Sequence, residues 1–264
     1  MMECTDSKAS GRQPRRLPWA SALGLDSACE VESTGSTNTD MKAAVRASAS
    51  SVRALLSTRR QTAGRGTHGR QWAQPENGLF LTVALPADPT PAIALAVGLA
   101  LARRFAREGR SVKVKWPNDL LMDDGKLAGI LVEAVRNASG QPHLVIGVGV
   151  NLAWGEADRP TAVASLDEAG DLPREDWLRM TAEAVVEAVR GYDALAKASL
   201  AEAWRAYDAL MDRRIRVDQA NGVDAIEGVA RGIAASGALL VRTADGRLVE
   251  VVSGSARLLC RGQI

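Results

Sequence analysis

Apolar and polar positions alternate in blocks along the chain, and the lengths of these blocks predict both strands and helices. Short apolar runs typical of strands occupy residues 31–34, 52–58, 79–85, 112–116, 120–122, 127–135 and 144–152. Stretches with helical periodicity follow Ser36 and span residues 93–108 and 173–210. Asp123-Asp124-Gly125 is a strong hairpin signal between two of the strands. This order predicts an α+β domain in which a mixed β-sheet is backed by helices.

The pattern changes after Asp212. Short apolar runs at 214–217, 227–233, 238–242 and 248–252 are separated by the turn dipeptides Asn221-Gly222, Ser236-Gly237 and Asp245-Gly246. We therefore expect a main domain over residues 31–212 and a small β-barrel domain over 213–264. Residues 1–30 are polar and rich in Ser, Arg, Pro and Gly, which predicts a flexible N-terminal arm.

The composition limits the classes of protein to which the chain can belong. The chain has 264 residues, 46% hydrophobic and 24% charged, which is ordinary for a soluble globular protein. A net charge of +2 gives no global argument for nucleic-acid or membrane binding. Three scattered cysteines, Cys4, Cys29 and Cys260, argue against a zinc site, and no apolar signal-peptide core is present near the N-terminus. We expect a cytoplasmic protein.

The loop over residues 61–72 combines three glycines with two arginines. Gly64, Gly66 and Gly69 match the dinucleotide-binding pattern G-x-G-x-x-G, which requires a helix to begin directly after the loop. Here a turn cluster at 74–78 and a strand follow instead, so we reject a dinucleotide fold. Arg65 and Arg70 favour a clamp over an anion, and a plain surface loop is the structural alternative.

The segment over residues 115–151 carries the remaining candidate chemistry. Asp119 is a candidate Mg²⁺ ligand, and Lys126 at the mouth of a hairpin is suited to neutralise a carboxylate or an α-phosphate. Gly129, Gly147 and Gly149 would let a flat ligand lie directly on the sheet. A turn role for Asp119 and a packing role for the glycines are the alternatives. Together these residues fit the activation of a carboxylate by ATP.

Five stretches of the chain, taken together, resemble biotin–protein ligases. They occur in the order and spacing of that family, and the similarity spans about residues 31–262. The stretches are Gly35-Ser-Thr-Asn38, Gln61-Thr-Ala-Gly-Arg-Gly66, Lys115-Trp-Pro-Asn-Asp119, Gly125-Lys-Leu-Ala-Gly-Ile-Leu-Val-Glu133 and Gly147-Val-Gly-Val-Asn-Leu152. The resemblance implies a class II synthetase-like catalytic domain with an SH3-like β-barrel at the C-terminus, in the short form without an N-terminal DNA-binding domain.

The resemblance also implies a reaction in two steps. Biotin and MgATP give biotinyl-5′-adenylate and pyrophosphate, and the biotinyl group then passes to a lysine on the biotin carboxyl carrier domain of a biotin-dependent carboxylase. ATP with Mg²⁺ and biotin are therefore the expected co-substrates. We expect no binding to DNA or membranes, because only about thirty residues precede the catalytic domain, and we expect either a monomer or a homodimer.

The family pattern assigns roles to individual residues of this chain. Lys126, Arg65 and Asp119 are the implied catalytic residues, and Asp119 is also the implied Mg²⁺ ligand. The implied biotin site consists of Ser36, Thr37, Asn38, Gln61, Arg65, Gly66, Thr67, Lys126 and Gly129. The implied ATP site consists of Gly64, Arg70, Trp72, Asn118, Asp119 and Asn151.

One departure and two rival functions accompany the resemblance. Thr67 stands where the family usually has arginine, which predicts that the adenylate is held less tightly than is usual. A lipoate–protein ligase or transferase has the same fold and also takes an alkyl carboxylate, but its ligand has no ureido ring. A non-catalytic small-molecule-binding protein is the rival from another class, and the intact Lys126, Asp119 and Arg65 argue against it.

Overall fold

The computed structural model describes residues 13–73, 75–154, 162–166, 172–192, 194–219 and 225–259. Its strands are β1 Arg15–Arg16, β2 Ser27–Thr34, β3 Ala54–Gln61, β4 Asn77–Pro86, β5 Val112–Lys115, β6 Asp119–Met122, β7 Gly125–Arg136, β8 Pro142–Ala153, β9 Arg214–Asp218, β10 Ile226–Ile233, β11 Leu239–Arg242, β12 Leu248–Val251 and β13 Ser255–Leu258. Its α-helices are α1 Thr37–Ala47, α2 Ile93–Arg107, α3 Arg174–Arg190 and α4 Ala194–Arg205.

The first eight strands form one mixed sheet, as predicted, in the order β1-β2-β3-β4-β8-β7-β6-β5. The β2–β3 pair is parallel and the other pairs are antiparallel. Neighbouring residues of a strand point to opposite faces, so Leu55 joins the core formed with α2 and α3, whereas Leu56 joins a smaller core with Met41 and Val45 of α1. The sheet is thus covered by helices on both faces.

Alternation along the strands determines what lies beside α1. Ala84 of β4 and Val145 of β8 face α1, as does Val135 of β7. Stepping by two residues from these positions brings Thr82, Gly147, Gly149, Gly129 and Glu133 to the same face. The three glycines predicted as a ligand surface therefore share one face of the sheet with polar residues of β4 and β7.

The expected flexible arm over residues 1–30 is wrong for residues 13–30. Pro18–Leu23 forms a 3₁₀ helix, and β2 begins at Ser27 rather than near residue 31. Leu17, Ala20 and Leu25 are buried in the main core. Arg15 also pairs with Glu30 and Glu175. These long-range contacts order a segment whose local composition is polar; residues 1–12 lie outside the described part of the chain.

Two further expectations are refined. The helical stretch over 173–210 is divided into α3 and α4, because α3 ends at Arg190, just before Gly191. The C-terminal strands form a five-stranded antiparallel sheet in the order β12-β11-β10-β9-β13, which is consistent with an SH3-like domain, although no closed barrel is assigned. The turn expected at Asn221-Gly222 falls outside the described residues.

The segment after β5 contacts the turn between β10 and β11. The indole Nε1 of Trp116 donates to the carbonyl oxygen of Gly237 at 3.1 Å. Gly237 lies in a predicted turn and has a φ of +87°, a conformation that favours glycine. Among the described helices, none combines the length and apolarity that a membrane crossing requires.

Candidate functional site

A cavity of about 250 Å³ opens on the α1 face of the first sheet. It brings together residues from α1, β3, the loop after β3, β7 and β8. The predicted site residues that line it are Ser36, Thr37, Asn38, Gln61, Arg65, Gly66, Thr67, Arg70, Trp72, Asn118, Lys126, Gly129 and Asn151. Gly64 and Asp119 do not line it, but Asp119 bonds to Lys126, and Gly64 lies directly under Gln61 and Trp72.

Gly129, Gly147 and Gly149 form the floor of the cavity, here called the glycine floor. Side chains of the protein itself, rather than a ligand, pack against this floor. A Cβ on Gly129 would lie 2.5 Å from the Trp72 ring, and one on Gly149 would lie 2.9 Å from it. A Cβ on Gly147 would collide with Oδ1 of Asn38. The expectation that a flat ligand lies directly on these glycines is therefore corrected, because two side chains of the protein itself occupy that space.

Gln61 is fixed in one orientation at the polar end of the cavity. Its Oε1 accepts from the backbone N–H of Thr37 at 2.9 Å and from the Thr37 hydroxyl at 3.1 Å. A backbone N–H can only donate, so the amide oxygen of Gln61 must face α1 and its NH₂ group must face away. That nitrogen lies 3.0 Å from the position a Cβ on Gly64 would take. The NH₂ group of Gln61 is thus available as a donor beside Gly64.

Asn38 is also fixed in one orientation, but its NH₂ group faces the protein and its oxygen faces the cavity. Its Nδ2 donates to Oε2 of Glu133 at 3.0 Å, and its Oδ1 accepts from the Thr82 hydroxyl at 2.7 Å. Oγ1 of Thr82 also lies 2.8 Å from Oγ1 of Thr37, within hydrogen-bonding distance. Asn38 is 4% exposed, Thr37 3% and Thr82 0%. The hydrogen-bonded network leaves the second lone pair of the Asn38 oxygen as an acceptor beside Gly147.

Ser36 joins the site to the start of α1. Its side chain accepts from the backbone N–H of Thr39 at 3.5 Å in an N-cap geometry, as the run of Ser, Thr and Asn residues predicts. The cap fixes the first turn of α1, from which Thr37 and Asn38 project. The residue that marks the start of α1 in the sequence therefore also positions the polar end of the cavity.

The other end of the cavity is charged and more open. Nζ of Lys126 lies 2.7 Å from Oδ1 of Asp119, and Nζ of Lys115 lies 3.7 Å from Oδ2 of the same carboxylate. The Lys126 ammonium also lies 4.8 Å from the centroid of the Trp72 ring, a cation–π contact. Lys126 is thus paired with a carboxylate and partly covered by an aromatic ring.

The arrangement around Asp119 does not fit a resident Mg²⁺ ion. Magnesium takes oxygen ligands, but both oxygens of this carboxylate already face ammonium groups. Among the described residues, no group of three or more His, Cys, Asp or Glu side chains is placed to hold a metal. The predicted Mg²⁺ role of Asp119 therefore gains no support from the structure.

Asn151 and Asn118 differ in what they leave available. Nδ2 of Asn151 donates to the carbonyl oxygens of Lys126 at 2.9 Å and Ala164 at 3.2 Å, while its Oδ1 is buried with no hydrogen-bond partner among the described residues. Asn118 instead donates to the carbonyl oxygen of Ile130 at 2.7 Å. Asn151 therefore offers an acceptor to the cavity, and Asn118 anchors the strand that carries Lys126.

The loop after β3 folds back on itself. The N–H of Trp72 donates to Gly64 at 3.0 Å, and the N–H of Gly66 donates to Arg70 at 2.7 Å. The side chain of Arg70 reaches the Thr67 hydroxyl at 3.4 Å. Arg65 and Arg70 are both exposed at the cavity rim. These contacts place two arginines at the rim of the cavity, and Arg65 lies near enough to Glu133 for its charge to lower the pKa of that carboxyl.

Three residues that the sequence did not single out complete the network: Thr82, Glu133 and Lys42. Glu133 accepts from Lys42 at 2.5 Å as well as from Asn38. Burial raises the pKa of the Glu133 carboxyl, but hydrogen bonds from Lys42 and Asn38 and the positive charges of Lys42 and Arg65 lower it, and the net pKa lies below its ordinary value. A polar residue within an apolar strand was the available signal for Thr82 and Glu133.

Two family models match the chain. Residues 30–151 match the Biotin/lipoate A/B protein ligase family, and residues 211–258 match the Biotin protein ligase C terminal domain. The first match contains the residues that line the cavity up to Asn151. The second corresponds to the five-stranded sheet.

Individual relatives agree with these matches. The chain is 34% identical over 237 residues to the biotin–[acetyl-CoA-carboxylase] ligase of Mycobacterium tuberculosis, covering 85% of this chain and 86% of that protein. It is 32% identical to the bifunctional ligase/repressor BirA of Escherichia coli, over 75% of this chain but only 64% of that protein. The biotin protein ligase from Aquifex aeolicus, solved with biotin and ATP, has the same fold, with a TM-score of 0.72 at 22% identity over 89% of this chain and 99% of that one.

Proposed function

The chain belongs to the biotin protein ligase family, an ATP-dependent group of ligases, and on that premise we propose that it joins biotin to a carrier protein. In this proposal, biotin and ATP react to give biotinyl-5′-adenylate and pyrophosphate. The biotinyl group then passes to a lysine of the biotin carboxyl carrier domain of a carboxylase. The scattered cysteines favour the cytoplasm as the compartment.

The observation that carries this proposal is the fixed polarity of Gln61 and Asn38. Their contacts leave an amide NH₂ on Gln61 and an amide oxygen on Asn38 available to a ligand. A ureido ring has a carbonyl that accepts and N–H groups that donate, so it satisfies both. The dithiolane ring of lipoate satisfies neither, and a site built for hydrogen bonds rejects an analogue that leaves its buried polar groups unpaired.

In this proposal, Lys126 binds the carboxylate of the acid. Its ammonium is held by Asp119, 2.7 Å away, before the acid binds. On binding, the ammonium attracts the incoming carboxylate and stabilises the charge that develops on the α-phosphate. A carboxylate oxygen forms a bond to the α-phosphorus, the bond from that phosphorus to the β-phosphate bridge breaks, and pyrophosphate leaves.

The nucleotide takes the side of the cavity nearest Asn151 and the loop. The buried Oδ1 of Asn151, which has no partner among the described residues, suits the exocyclic amino group of adenine. Arg65 and Arg70 at the rim suit the phosphates, for which arginine is a preferred partner. Mg²⁺ would arrive bound to the ATP phosphates as part of the substrate.

The second step transfers the acyl group. The amine of the carrier lysine attacks the acyl carbon of the adenylate, the bond to AMP breaks, and the amine loses a proton. Asp119 is the carboxylate paired with Lys126, and we assign it as the acceptor of that proton. Its pairing with Lys126 would be released when Lys126 turns to the substrate.

Pyrophosphate release from ATP tests the function directly. The assay compares biotin, lipoate and no added acid, and then adds a carrier domain to detect its biotinylation. We expect release with biotin only, followed by labelling of the carrier. Equal release with lipoate would favour the lipoate ligase, and binding of biotin without pyrophosphate release would favour a non-catalytic protein.

Lys126→Ala is the variant that tests the central residue. We expect biotin-dependent release to fall by at least about a hundredfold, because removal of one preorganised electrostatic contact costs about that much in other enzymes. Lys113→Ala is the matched control, since Lys113 is exposed on β5 and does not line the cavity. Unchanged release by the Lys126 variant would overturn the assignment.

A further inference from the structure

Glu133 and Lys42 form an ion pair behind the polar end of the cavity, and neither side chain lines it. Nζ of Lys42 lies 2.5 Å from Oε1 of Glu133, and the side chains are 17% and 31% exposed respectively. Lys42 lies one turn after Asn38 on α1, so both side chains reach the same carboxylate of β7. The pair is thus attached to a cavity residue without meeting the ligand itself.

The chemistry of Glu133 restricts Asn38. An ionised carboxylate can only accept hydrogen bonds, so it requires the NH₂ group of Asn38 to face it. The hydrogen bonds and the nearby positive charges hold the pKa of Glu133 below its ordinary value against the effect of burial, so the carboxylate is ionised at neutral pH. Lys42 keeps that carboxylate at the end of the Asn38 side chain.

The partner on the other side does not impose this restriction. The Thr82 hydroxyl can donate or accept, and it would accommodate either orientation of the amide. With the amide reversed, its oxygen would face the Glu133 carboxylate and its NH₂ group would face the cavity beside Gly147. The carbonyl oxygen of Leu131 also accepts from Nδ2 of Asn38, but at a longer 3.4 Å and without a charge. The shorter, charged contact from Glu133 is therefore the main determinant of the orientation of Asn38.

We propose that Glu133, held by Lys42, is a positioning residue that fixes the amide oxygen of Asn38 toward the cavity and so sets the preference of the site for a ureido ligand. This inference rests on the proposed function. It predicts that Glu133 governs the affinity for biotin and has little part in the affinity for ATP.

Steady-state kinetics of pyrophosphate release provide the test. Glu133→Gln keeps the size of the side chain but removes the carboxylate, leaving only the longer contact to the Leu131 carbonyl oxygen to orient Asn38. We expect the KM for biotin to rise about tenfold, the value of one lost hydrogen bond, while kcat and the KM for ATP change by less than about twofold. Glu227→Gln is the control, because Glu227 lies at the exposed surface of the second sheet, paired with Arg216.

A charge swap separates positioning from simple support of the fold. Asn38→Asp alone places two carboxylates together and should raise the KM for biotin by more than Glu133→Gln does. When both substitutions are combined, the new amide at position 133 donates to the new carboxylate at position 38, which still accepts from Thr82 and presents an oxygen to the cavity. We expect the double variant to recover at least about fivefold in KM relative to Asn38→Asp, a coupling typical of residues in contact.

The outcomes are distinct. Absence of biotin-dependent release by the wild-type chain would refute the proposed function, whatever the variants do. If the wild type is active, an unchanged biotin KM in Glu133→Gln, or equal rises in the KM for biotin and ATP, would overturn the positioning role. A double variant whose KM for biotin is no lower than that of Asn38→Asp would also overturn it, and this comparison holds even if Glu133→Gln alone folds poorly.

Discussion

The two ends of the cavity are built in different ways. At the polar end, Thr37, Asn38 and Thr82 are almost fully buried, and each side chain is held by at least one other side chain. At the charged end, Lys126 is 37% exposed and contacts Trp72 of a loop whose two arginines are exposed at the cavity rim. The first arrangement suits recognition of a fixed group, and the second suits charges that must move between partners as a reaction proceeds. One cavity thus combines a rigid polar end for recognition with a more exposed charged end for the reaction.

Adding a single methyl group to the floor at each end tests this difference most strongly. Gly147→Ala would drive a Cβ into Oδ1 of Asn38, whose neighbours on both sides hold it in place. We expect the free energy of unfolding to fall by about 1–3 kcal/mol, the usual cost of overpacking. Gly129→Ala meets the ring of Trp72, which belongs to the loop and can shift, so we expect a loss below about 1 kcal/mol.

Urea unfolding measures both variants, with Gly35→Ala as the control, because a Cβ at Gly35 meets nothing within 4 Å. Equal losses for Gly147→Ala and Gly129→Ala would show that the two ends are equally rigid and would remove the basis of the comparison.

How far the sequence predicts this cavity also differs between its parts. Strands β4, β7 and β8 are long apolar runs, and the hairpin at Asp123-Asp124 carries its own turn signal, with φ values of +50° and +61°. These features are local, so periodicity finds them. The residues that line the cavity came mainly from the resemblance of five stretches to a known family.

The features that could not be predicted from the sequence depend on partners far away along the chain. The pairing of Asn38 with Glu133 spans 95 positions and requires the register of β7 against α1. Burial of Leu17 and Ala20 in a polar segment depends on packing against the main core. The Trp72 ring packs on the glycine floor only because the loop folds back. Periodicity and composition contain no information about such contacts.

The loop offers a kinetic prediction, which concerns retention of the adenylate rather than stability of the fold. Thr67 lines the cavity where the resembled family usually has arginine, and Arg70 contacts its hydroxyl. If an arginine at this position contacts the adenylate phosphate, Thr67→Arg should slow release of the adenylate about tenfold or more, since a hydrogen bond to a charged group is worth about 1.5–3 kcal/mol.

Release of radiolabelled adenylate from the purified complex measures this rate. Thr62→Arg adds the same charge on the exposed part of the loop outside the cavity and controls for a general electrostatic effect. Identical release rates for the wild type and Thr67→Arg would refute the prediction. Slower release would show that Thr67 lets the wild-type site release its adenylate faster than an arginine at this position would.

The smallest expected effect is the pH dependence of the polar end. The net pKa of Glu133 in the folded protein lies below the ordinary value of 4.5, although burial opposes this shift, because Lys42 and Asn38 donate to the carboxylate. A group with a depressed pKa stabilises the fold fully above its unfolded pKa, and that stabilisation is lost as the pH falls through the folded pKa. The contribution of Glu133 should therefore be constant near neutral pH and decline below about pH 4.5.

Urea unfolding of the wild type and Glu133→Gln across this acidic range isolates the contribution as a difference between two curves. The curves should run parallel near neutral pH and converge below pH 4.5, the ordinary carboxyl value. The effect is modest because the carboxylate is partly exposed and solvent screens its pairing. A constant difference down to the acid limit would mean that Glu133 contributes through packing rather than charge, and the contrast between a fixed polar end and an adjustable charged end would then rest on Asn38 and Thr82 alone.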